Sequence, residues 1–436
     1  MKIIVDAMGG DNAPEAIVKG SVYARDRLGV EFVLVGRKEE IEKYLGEDRS
    51  NIEIVDARDV ITMEDDPSTA TRRKKDASMT VALTMLKNGE GDAMVSAGST
   101  GALLTGATLI VKRIKGVRRA AMAPVLPSRE NGIMLIDCGA NAECTPEYLL
   151  QFAYMGSFYA RRMMGLTQPR VGLLNIGAEE TKGGALQHEA YKLLKTASEE
   201  GRINFVGNVE GSTMLLGGVD IVVSDGFSGN IVLKTAEGVA KWLFTELKEV
   251  FMMSTKNKLA AAVIKGDVKG IAKKIDPNEV GGTAFLGISK PVIKAHGSSG
   301  DEAFFAAIRQ AKAFAEADIV SDIENNIDLI RTDIENAIYN IDLLEEYTKE
   351  VDKIINYKSE NKTNYSLKKF QKIENRVLND SIHKRKEFLI KLKLEVYYRS
   401  NAGKVNETRY GNYSFEDLVK LYKEWQNGNK YEETIK

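Results

Sequence analysis

The chain lacks the residues that would crosslink it or bind a structural metal. Its 436 residues include two Cys and three His, too few for a disulfide framework or for a zinc site whose four ligands are sequence neighbours. No run of 18 apolar residues occurs, so no membrane-spanning helix is expected. The apolar run before Asp6 is too short for a secretory signal. We therefore expect a cytoplasmic protein without a metal ion or a disulfide.

A strong net charge is also absent. The chain has 61 Lys plus Arg against 62 Asp plus Glu, a formal net charge of -1, whereas nucleic-acid-binding proteins carry a basic excess. The average hides a change in composition, because all 8 Pro and all 14 Met lie before residue 292, and 10 of the 16 Tyr lie after residue 338. This change predicts two domains, residues 1–327 and a Tyr-, Lys- and Asn-rich domain of residues 328–436.

The front domain contains a series of short apolar runs that end at Asp, Asn, Ser or Gly. They lie at residues 2–6, 32–36, 52–56, 93–96, 132–137, 171–175, 204–207 and 220–225. Segments with helical spacing separate several of them. Near-continuous apolar strands that alternate with helices predict an α/β protein, with a Rossmann-like, mostly parallel sheet covered by helices. Ligands bind at the carboxyl ends of such strands, so functional residues are expected in the turns that follow them.

Four of these turns combine Gly with Asp, Asn or Ser, at residues 6–14, 96–102, 137–141 and 225–230. Small residues before a helix let backbone N–H groups approach an anion, and the alternative is tight packing of the strand against the helix. The chain has neither G-x-x-x-x-G-K-[ST] nor G-x-G-x-x-G. A P-loop enzyme or a dinucleotide-dependent dehydrogenase is therefore disfavoured.

Cations accompany two further segments. Residues 72–75 form a run of four, and Lys182 lies in a Gly-containing turn after the apolar run that ends at Asn175. Cations beside Ser and Gly suit a phosphate group or a phosphopantetheine carrier. The alternative for a charge run is a solvated surface.

Eight segments follow one another along residues 1–327: Asp6-Ala-Met-Gly-Gly-Asp-Asn-Ala-Pro14, Arg73-Lys-Lys-Asp-Ala-Ser-Met79, Ser96-Ala-Gly-Ser-Thr-Gly-Ala102, Asp137-Cys-Gly-Ala-Asn141, Asn175-Ile-Gly-Ala-Glu-Glu-Thr-Lys-Gly183, Asn208-Val-Glu-Gly211, Asp225-Gly-Phe-Ser-Gly-Asn230 and His296-Gly-Ser-Ser299. Together they resemble the bacterial phosphate acyltransferase family of phospholipid synthesis. The resemblance implies a fold like that of phosphotransacetylases and isopropylmalate dehydrogenases. It implies reversible transfer of a long-chain fatty acyl group from acyl carrier protein to inorganic phosphate. It also implies a homodimer, peripheral at the membrane, without metal or other cofactor.

The resemblance and the residue types together suggest a site. Phosphate must be oriented for attack on the thioester, and the developing oxyanion needs hydrogen-bond donors. The predicted catalytic residues are Lys182, Asn175, Asn230 and His296. The predicted phosphate- and thioester-binding residues are Asp6, Asp11, Arg73, Lys75, Gly98, Ser99, Thr100, Asn141 and Asp225. Acylation of Cys138 is the alternative mechanism, and it requires a nucleophilic thiolate.

Residues 239–253 and 259–264 have the spacing of two amphipathic helices with a bend. Apolar residues flanked by lysines are typical of a segment that enters the headgroup region. We expect Leu259, Val263 and Ile264 to contact the membrane, and the alternatives are a dimer interface and ordinary core.

The domain of residues 328–436 contains segments with helical spacing and a polar linker around residues 359–366, and it is predicted to be mainly α-helical. Residues 353–399 contain 13 basic and five acidic residues, which suits either a solvated bundle or a surface for nucleic acid or anionic lipid. The domain of residues 328–436 does not resemble acyl carrier protein, because the modified serine of that protein lies among acidic residues. The competing hypothesis is a non-catalytic dimeric scaffold whose basic tail binds nucleic acid or a protein partner, although no nucleic acid is expected on residues 1–327.

Overall fold

The computed structural model describes residues 1–130, 132–275 and 281–327. All of them belong to one compact unit, Met1–Arg331. The predicted helical domain of residues 328–436 lies outside the described residues, and so does its basic segment.

A seven-stranded sheet forms the first half of the fold, in the order β3-β2-β1-β4-β12-β11-β5. Strands β1, β2, β3, β4 and β12 run parallel, and β11 runs antiparallel to both of its neighbours. The bounds are β1 Lys2–Asp6, β2 Glu31–Gly36, β3 Ile52–Asp56, β4 Ala93–Ser96, β5 Ala121–Ala123, β11 Thr283–Leu286 and β12 Val292–Lys294.

A second sheet has five strands in the order β6-β7-β10-β8-β9. All pairs except β6 with β7 are parallel. The bounds are β6 Val125–Leu126, β7 Ile133–Ile136, β8 Arg170–Asn175, β9 Asn204–Glu210 and β10 Ile221–Val223. The chain crosses between the sheets at Pro124, which separates β5 from β6. Proline has no N–H to donate to a hydrogen bond between strands, so Pro124 itself interrupts the strand at this position.

Helices cover both sheets. Their bounds are α1 Glu15–Leu28, α2 Lys38–Leu45, α3 Ala70–Arg73, α4 Ser78–Asn88, α5 Thr100–Gly106, α6 Pro146–Met163, α7 Ala185–Glu199, α8 Gly226–Met252, α9 Thr255–Ile275 and α10 Asp301–Glu316. A π-helical turn, Ala107–Val111, extends α5, and a last helical segment covers residues 319–327. Within the described ranges, no helix is long and apolar enough to cross a bilayer.

The central strands are apolar on both faces because helices cover both faces. Ile3, Ile4 and Val5 of β1 are fully buried. Helices α1 and α10 pack against each other, and Gly20 of α1 is needed there, since a Cβ atom would lie 2.7 Å from the carbonyl oxygen of Asp301. The predicted class, an α/β protein with mostly parallel strands covered by helices, is confirmed. The structure adds that the strands form two sheets, and that the short strand β12 inserts beside β4.

Candidate active site

The carboxyl ends of β1 and β4 meet at a buried carboxylate. Asp6 is 1% exposed and pairs with Ser96 in the parallel register of the two strands. It accepts hydrogen bonds from Ser78 Oγ and Ser96 Oγ, each at 2.6 Å. Burial raises the pKa of Asp6, while these hydroxyls and the charge of Lys294 oppose that shift. The hydrogen-bond network continues into the turn after β4, because Ser96 Oγ accepts the backbone N–H of Gly98 at 3.1 Å.

Lys294, the last residue of β12, lies directly beside Ser96 in the register of β12 with β4. It is 7% exposed, and its Nζ donates to the carbonyl oxygens of Ala97, at 3.3 Å, and of Ala295. Burial lowers the pKa of Lys294 to about 8, and the nearby carboxylates Asp6 and Asp11 favour its charged form. A buried ammonium therefore lies beneath the turn that begins α5.

The turn itself contains three predicted binding residues, Gly98, Ser99 and Thr100. Gly98 and Ser99 are buried, and Thr100 is the first residue of α5. The turn after β1 packs on it so closely that a Cβ atom on Gly9 would lie 2.7 Å from the backbone nitrogen of Gly98. Only glycine fits at such an approach, which holds the two turns together.

Two more predicted residues lie at the same edge. The backbone N–H of Asp11 donates to the carbonyl oxygen of Gly297 at 2.8 Å. His296 is exposed, and its Nδ1 lies 2.9 Å from Ser298 Oγ. The structure thus brings Asp6, Asp11, the turn of residues 96–100 and His296 into one cluster, which we call the β4 cluster.

A second cluster, the β7 cluster, forms at the carboxyl ends of β7 and β10. Asp137 accepts four hydrogen bonds, from Met122 N, Ala140 N, Asn141 N and Asn141 Nδ2, at 2.7 to 3.2 Å. Burial raises the pKa of Asp137, and these hydrogen bonds oppose the shift. Asn141 in turn accepts the N–H of Gly226 at 2.7 Å.

The start of α8 lies against this cluster. Asp225 is its N-cap, and the carboxylate accepts the N–H of Ser228 at 2.8 Å. Asn230 is exposed and lies beside Gly139. The predicted residues Asn141, Asp225 and Asn230 therefore come together, around the carboxylate of Asp137.

Lys234, further along α8, connects the two clusters electrostatically. Its charge lowers the pKa of both Lys294 in the β4 cluster and Cys138 in the β7 cluster. The Nζ also pairs with Glu237 at 2.7 Å. Lys234 therefore lies near a residue of each cluster.

The predicted cations lie at the periphery. Lys182 is exposed, and its carbonyl oxygen accepts the side-chain amide of Asn175 at 3.0 Å. Arg73 and Lys75 are exposed as well. Within the described ranges, no hydrogen bond or ion pair joins these three side chains to either cluster. The cation between the latter two, Lys74, pairs with Asp65 at 2.8 Å, so it has a structural partner.

Cys138 is buried, and burial raises the pKa of its thiol. A thiol in this state is a poor nucleophile at neutral pH, which argues against acylation of Cys138. The part of the chain that the structure describes also contains no group of three His, Cys, Asp or Glu side chains placed to hold a metal ion.

The sequence interpretation omitted four residues that build this site: Ser78, Ser96, Lys234 and Lys294. A signal existed for the last, because the apolar pair Val292-Ile293 precedes Lys294 just before the His296-Gly-Ser-Ser segment. Two β-branched residues are too few to predict a strand by themselves.

The fold is an α/β fold with two clusters of polar side chains at the carboxyl ends of its strands, and comparison with known proteins specifies the family. A profile of the family described as "Fatty acid synthesis protein" matches residues 1–322. The phosphate acyltransferase of Thermoanaerobacterium thermosaccharolyticum is 47% identical over 337 residues, which cover 77% of this chain and 100% of that protein. The phosphate acyltransferase of Clostridium acetobutylicum is 48% identical over 333 residues, 75% of this chain and 99% of that protein.

The chain therefore belongs to the fatty acid synthesis protein family and is an acyltransferase. Among solved structures, a phosphotransacetylase from Streptococcus pyogenes superposes with a TM-score of 0.49 at 18% identity, covering 72% of this chain and 94% of that one. The family profile ends at residue 322, so it does not account for residues 328–436.

Proposed function

We propose that the chain transfers a long-chain fatty acyl group reversibly from acyl carrier protein to inorganic phosphate, forming acyl phosphate for membrane phospholipid synthesis. Its relatives share the name phosphate acyltransferase, which supports transfer of an acyl group to phosphate. The observation that carries the proposal is the buried ammonium of Lys294 beneath the turn of residues 96–100. A positive charge and free N–H groups on small residues together suit a dianionic substrate.

Phosphate would lie on the turn of residues 96–100. Lys294 supplies the buried charge, and Lys182 and Arg73, whose side chains are exposed, would add positive charge from the solvent side. Asp6 holds the hydroxyls of Ser78 and Ser96, so it acts as a positioning residue for the turn rather than as a base. No base is needed to create the nucleophile, since phosphate is already anionic at pH 7.

In the reaction, a phosphate oxygen attacks the thioester carbonyl carbon. The new C–O bond forms, the C–S bond breaks, and the thiolate of the carrier leaves and takes up a proton from solvent. Both ends of the Asn175 amide are occupied, because Nδ2 donates to Lys182 O and Oδ1 accepts Ile176 N. Asn230 and His296 Nε2 have no partner among the described residues, which leaves them as donors for the developing oxyanion.

Changing Lys182 to Ala tests this proposal. We expect phosphate-dependent release of free acyl carrier protein to fall at least about tenfold, since one charge-assisted contact contributes ~1.5 to 3 kcal/mol. Release is measured with the full chain at phosphate concentrations well below KM, where a loss in phosphate binding and a loss in turnover both lower the rate. Lys192→Ala, which removes an exposed lysine paired with Glu189 at 2.6 Å, is the matched control. Unchanged turnover in Lys182→Ala would remove Lys182 from the site, and no release by the wild type would favour the scaffold hypothesis.

The helices α8 and α9 are the basis for proposing a peripheral homodimer. Large apolar side chains are exposed along α8, among them Val239, Trp242, Leu243 and Val250. Exposed apolar area of this extent marks an interaction surface. We assign the α8 surface to a second copy of the chain, and the exposed side chains of α9 to the membrane.

Changing Leu259, Val263 and Ile264 together to Asp tests the membrane assignment. These side chains are 66%, 85% and 40% exposed, so the change leaves the core intact while placing three charges where burial in lipid is costly. We expect co-flotation with anionic vesicles to fall at least about tenfold. Met63→Asp with Leu216→Asp, at exposed apolar residues outside α8 and α9, is the control. Equal flotation of wild type and triple variant would refute the assignment.

A further inference from the structure

Residues 112–119, which we call the basic loop, contain five cations in eight positions. They are Lys112, Arg113, Lys115, Arg118 and Arg119, and all five are exposed. Within the described part of the chain none of them forms an ion pair with a carboxylate; the guanidinium of Arg119 lies 5.5 Å from the centre of the Tyr148 ring. Elsewhere on the surface, Arg58 pairs with Glu39 and Asp56, and Arg170 with Glu130 and Asp220.

The basic loop is held rigidly in place. Ile114 and Val117 are 1% and 5% exposed, so their side chains anchor the loop, whereas Lys115 between them is exposed. The N–H of Ile114 donates to the carbonyl oxygen of Gly287 at 2.9 Å. On the other side, the buried amide of Gln151 accepts the N–H of Arg118 at 3.0 Å and donates to the carbonyl of Gly116 at 3.3 Å. The cations therefore stand on a preorganised backbone, which lowers the entropy lost on binding.

The basic loop also leads directly to the site. The carbonyl oxygen of Ala120, the next residue, accepts Asn141 Nδ2 at 2.8 Å. Two residues further on, Met122 N donates to Asp137. A macromolecule bound to the loop would therefore lie next to the β7 cluster.

We propose that the basic loop is the docking surface for the acidic acyl carrier protein that delivers the thioester. This inference rests on the proposed function and adds the surface that recognises the protein part of the substrate. Unpaired cations complement an acidic partner and accelerate its association. A lipid surface fits less well, since membrane-binding segments combine cations with exposed apolar side chains, and the basic loop exposes no large apolar side chain.

Charge reversal of Arg113 and Lys115, both to Glu, tests the proposal in the full chain. In this variant the KM for acylated acyl carrier protein is expected to rise at least about tenfold at low salt, with kcat within about twofold of wild type. The difference should shrink as salt is raised, because exposed charges are screened. The control is Lys38→Glu with Lys43→Glu on α2, which packs on β2 and β3 at the opposite edge of the seven-stranded sheet, and its KM should match that of the wild type.

The outcomes separate this inference from the function on which it rests. An active wild type with an unchanged KM in the charge-reversed variant would overturn the docking surface alone. A fall in kcat with unchanged KM would assign the basic loop a structural role and refute docking. Loss of binding to anionic vesicles with unchanged KM would assign it to lipid instead. A wild type that releases no carrier protein would overturn the proposed function itself.

Discussion

Replacing Lys294 with Met is expected to lower kcat at least about hundredfold, equivalent to ~2.7 kcal/mol in the barrier, while the chain stays folded. Lys294 carries the buried positive charge of the β4 cluster, and a buried charge stabilises an anionic transition state more than an exposed one does. Methionine has a similar length and packs in its place. Because burial disfavours the charged form of Lys294, removal of that charge offsets the loss of its hydrogen bonds to Ala97 and Ala295.

The rate of the wild-type enzyme should fall at alkaline pH. The pKa of Lys294 is lowered to about 8. The ammonium therefore loses its proton as the pH rises through about 8, and the rate of the enzyme should fall over the same range. The groups that set this value are Asp6, Asp11 and Lys234, besides burial itself. Lys294→Met should lack this alkaline decline.

The matched control is Lys290→Met, which removes an exposed lysine four residues earlier and should retain full activity. Turnover by Lys294→Met equal to wild type would contradict the role of the buried ammonium. Loss of activity together with unfolding, measured by circular dichroism and urea titration, would assign Lys294 to stability instead.

Replacing Gly229 with Ala is expected to reduce the free energy of unfolding by at least about 3 kcal/mol. Gly229 lies in the first turn of α8, where a Cβ atom would overlap the carbonyl oxygen of Asp137. Gly226 is similarly close, since a Cβ atom there would lie 2.6 Å from Asn141 O. Backbone cannot move aside as a side chain can, so the helix would have to shift away from the β7 cluster.

Gly238→Ala in the same helix is the matched control, because a Cβ atom there meets no atom within 4 Å. Alanine should stabilise this helical position by up to ~1 kcal/mol. Urea unfolding of the three proteins measures both effects. If Gly229→Ala were as stable as wild type, α8 would not pack on the Asp137 turn as described, and the β7 cluster would lose its basis.

Much of the site was predictable because turns after apolar runs are local features. Asp6, Ser99, Asn141 and Asp225 all lie at the carboxyl ends of strands, as their positions after such runs predicted. Their roles in binding phosphate or thioester stay predictions. Lys182 is predicted from its charge and neighbouring glycines, and Arg73 from a run of four cations near a Ser. The structure shows both side chains exposed, and their roles stay predictions.

Other parts of the site had no adequate local signal. Lys294 ends a strand of three residues, and a lysine at a strand end is usually solvated. It is buried because β12 inserts beside β4, which brings its Nζ to the carbonyl of Ala97, 197 positions away in sequence. The need for glycine at residue 229 likewise depends on the backbone of Asp137, which only folding brings near.

The sequence by itself determined the alternation of strands and helices, the glycine-rich turns and their chemistry, because each depends on the spacing of neighbouring residues. Only the tertiary structure decided which turns meet, which lysine is buried and which cations remain unpaired on the basic loop. The physical reason is that burial and charge pairing depend on strand order and backbone approach between distant segments, and residue spacing along the chain does not encode these.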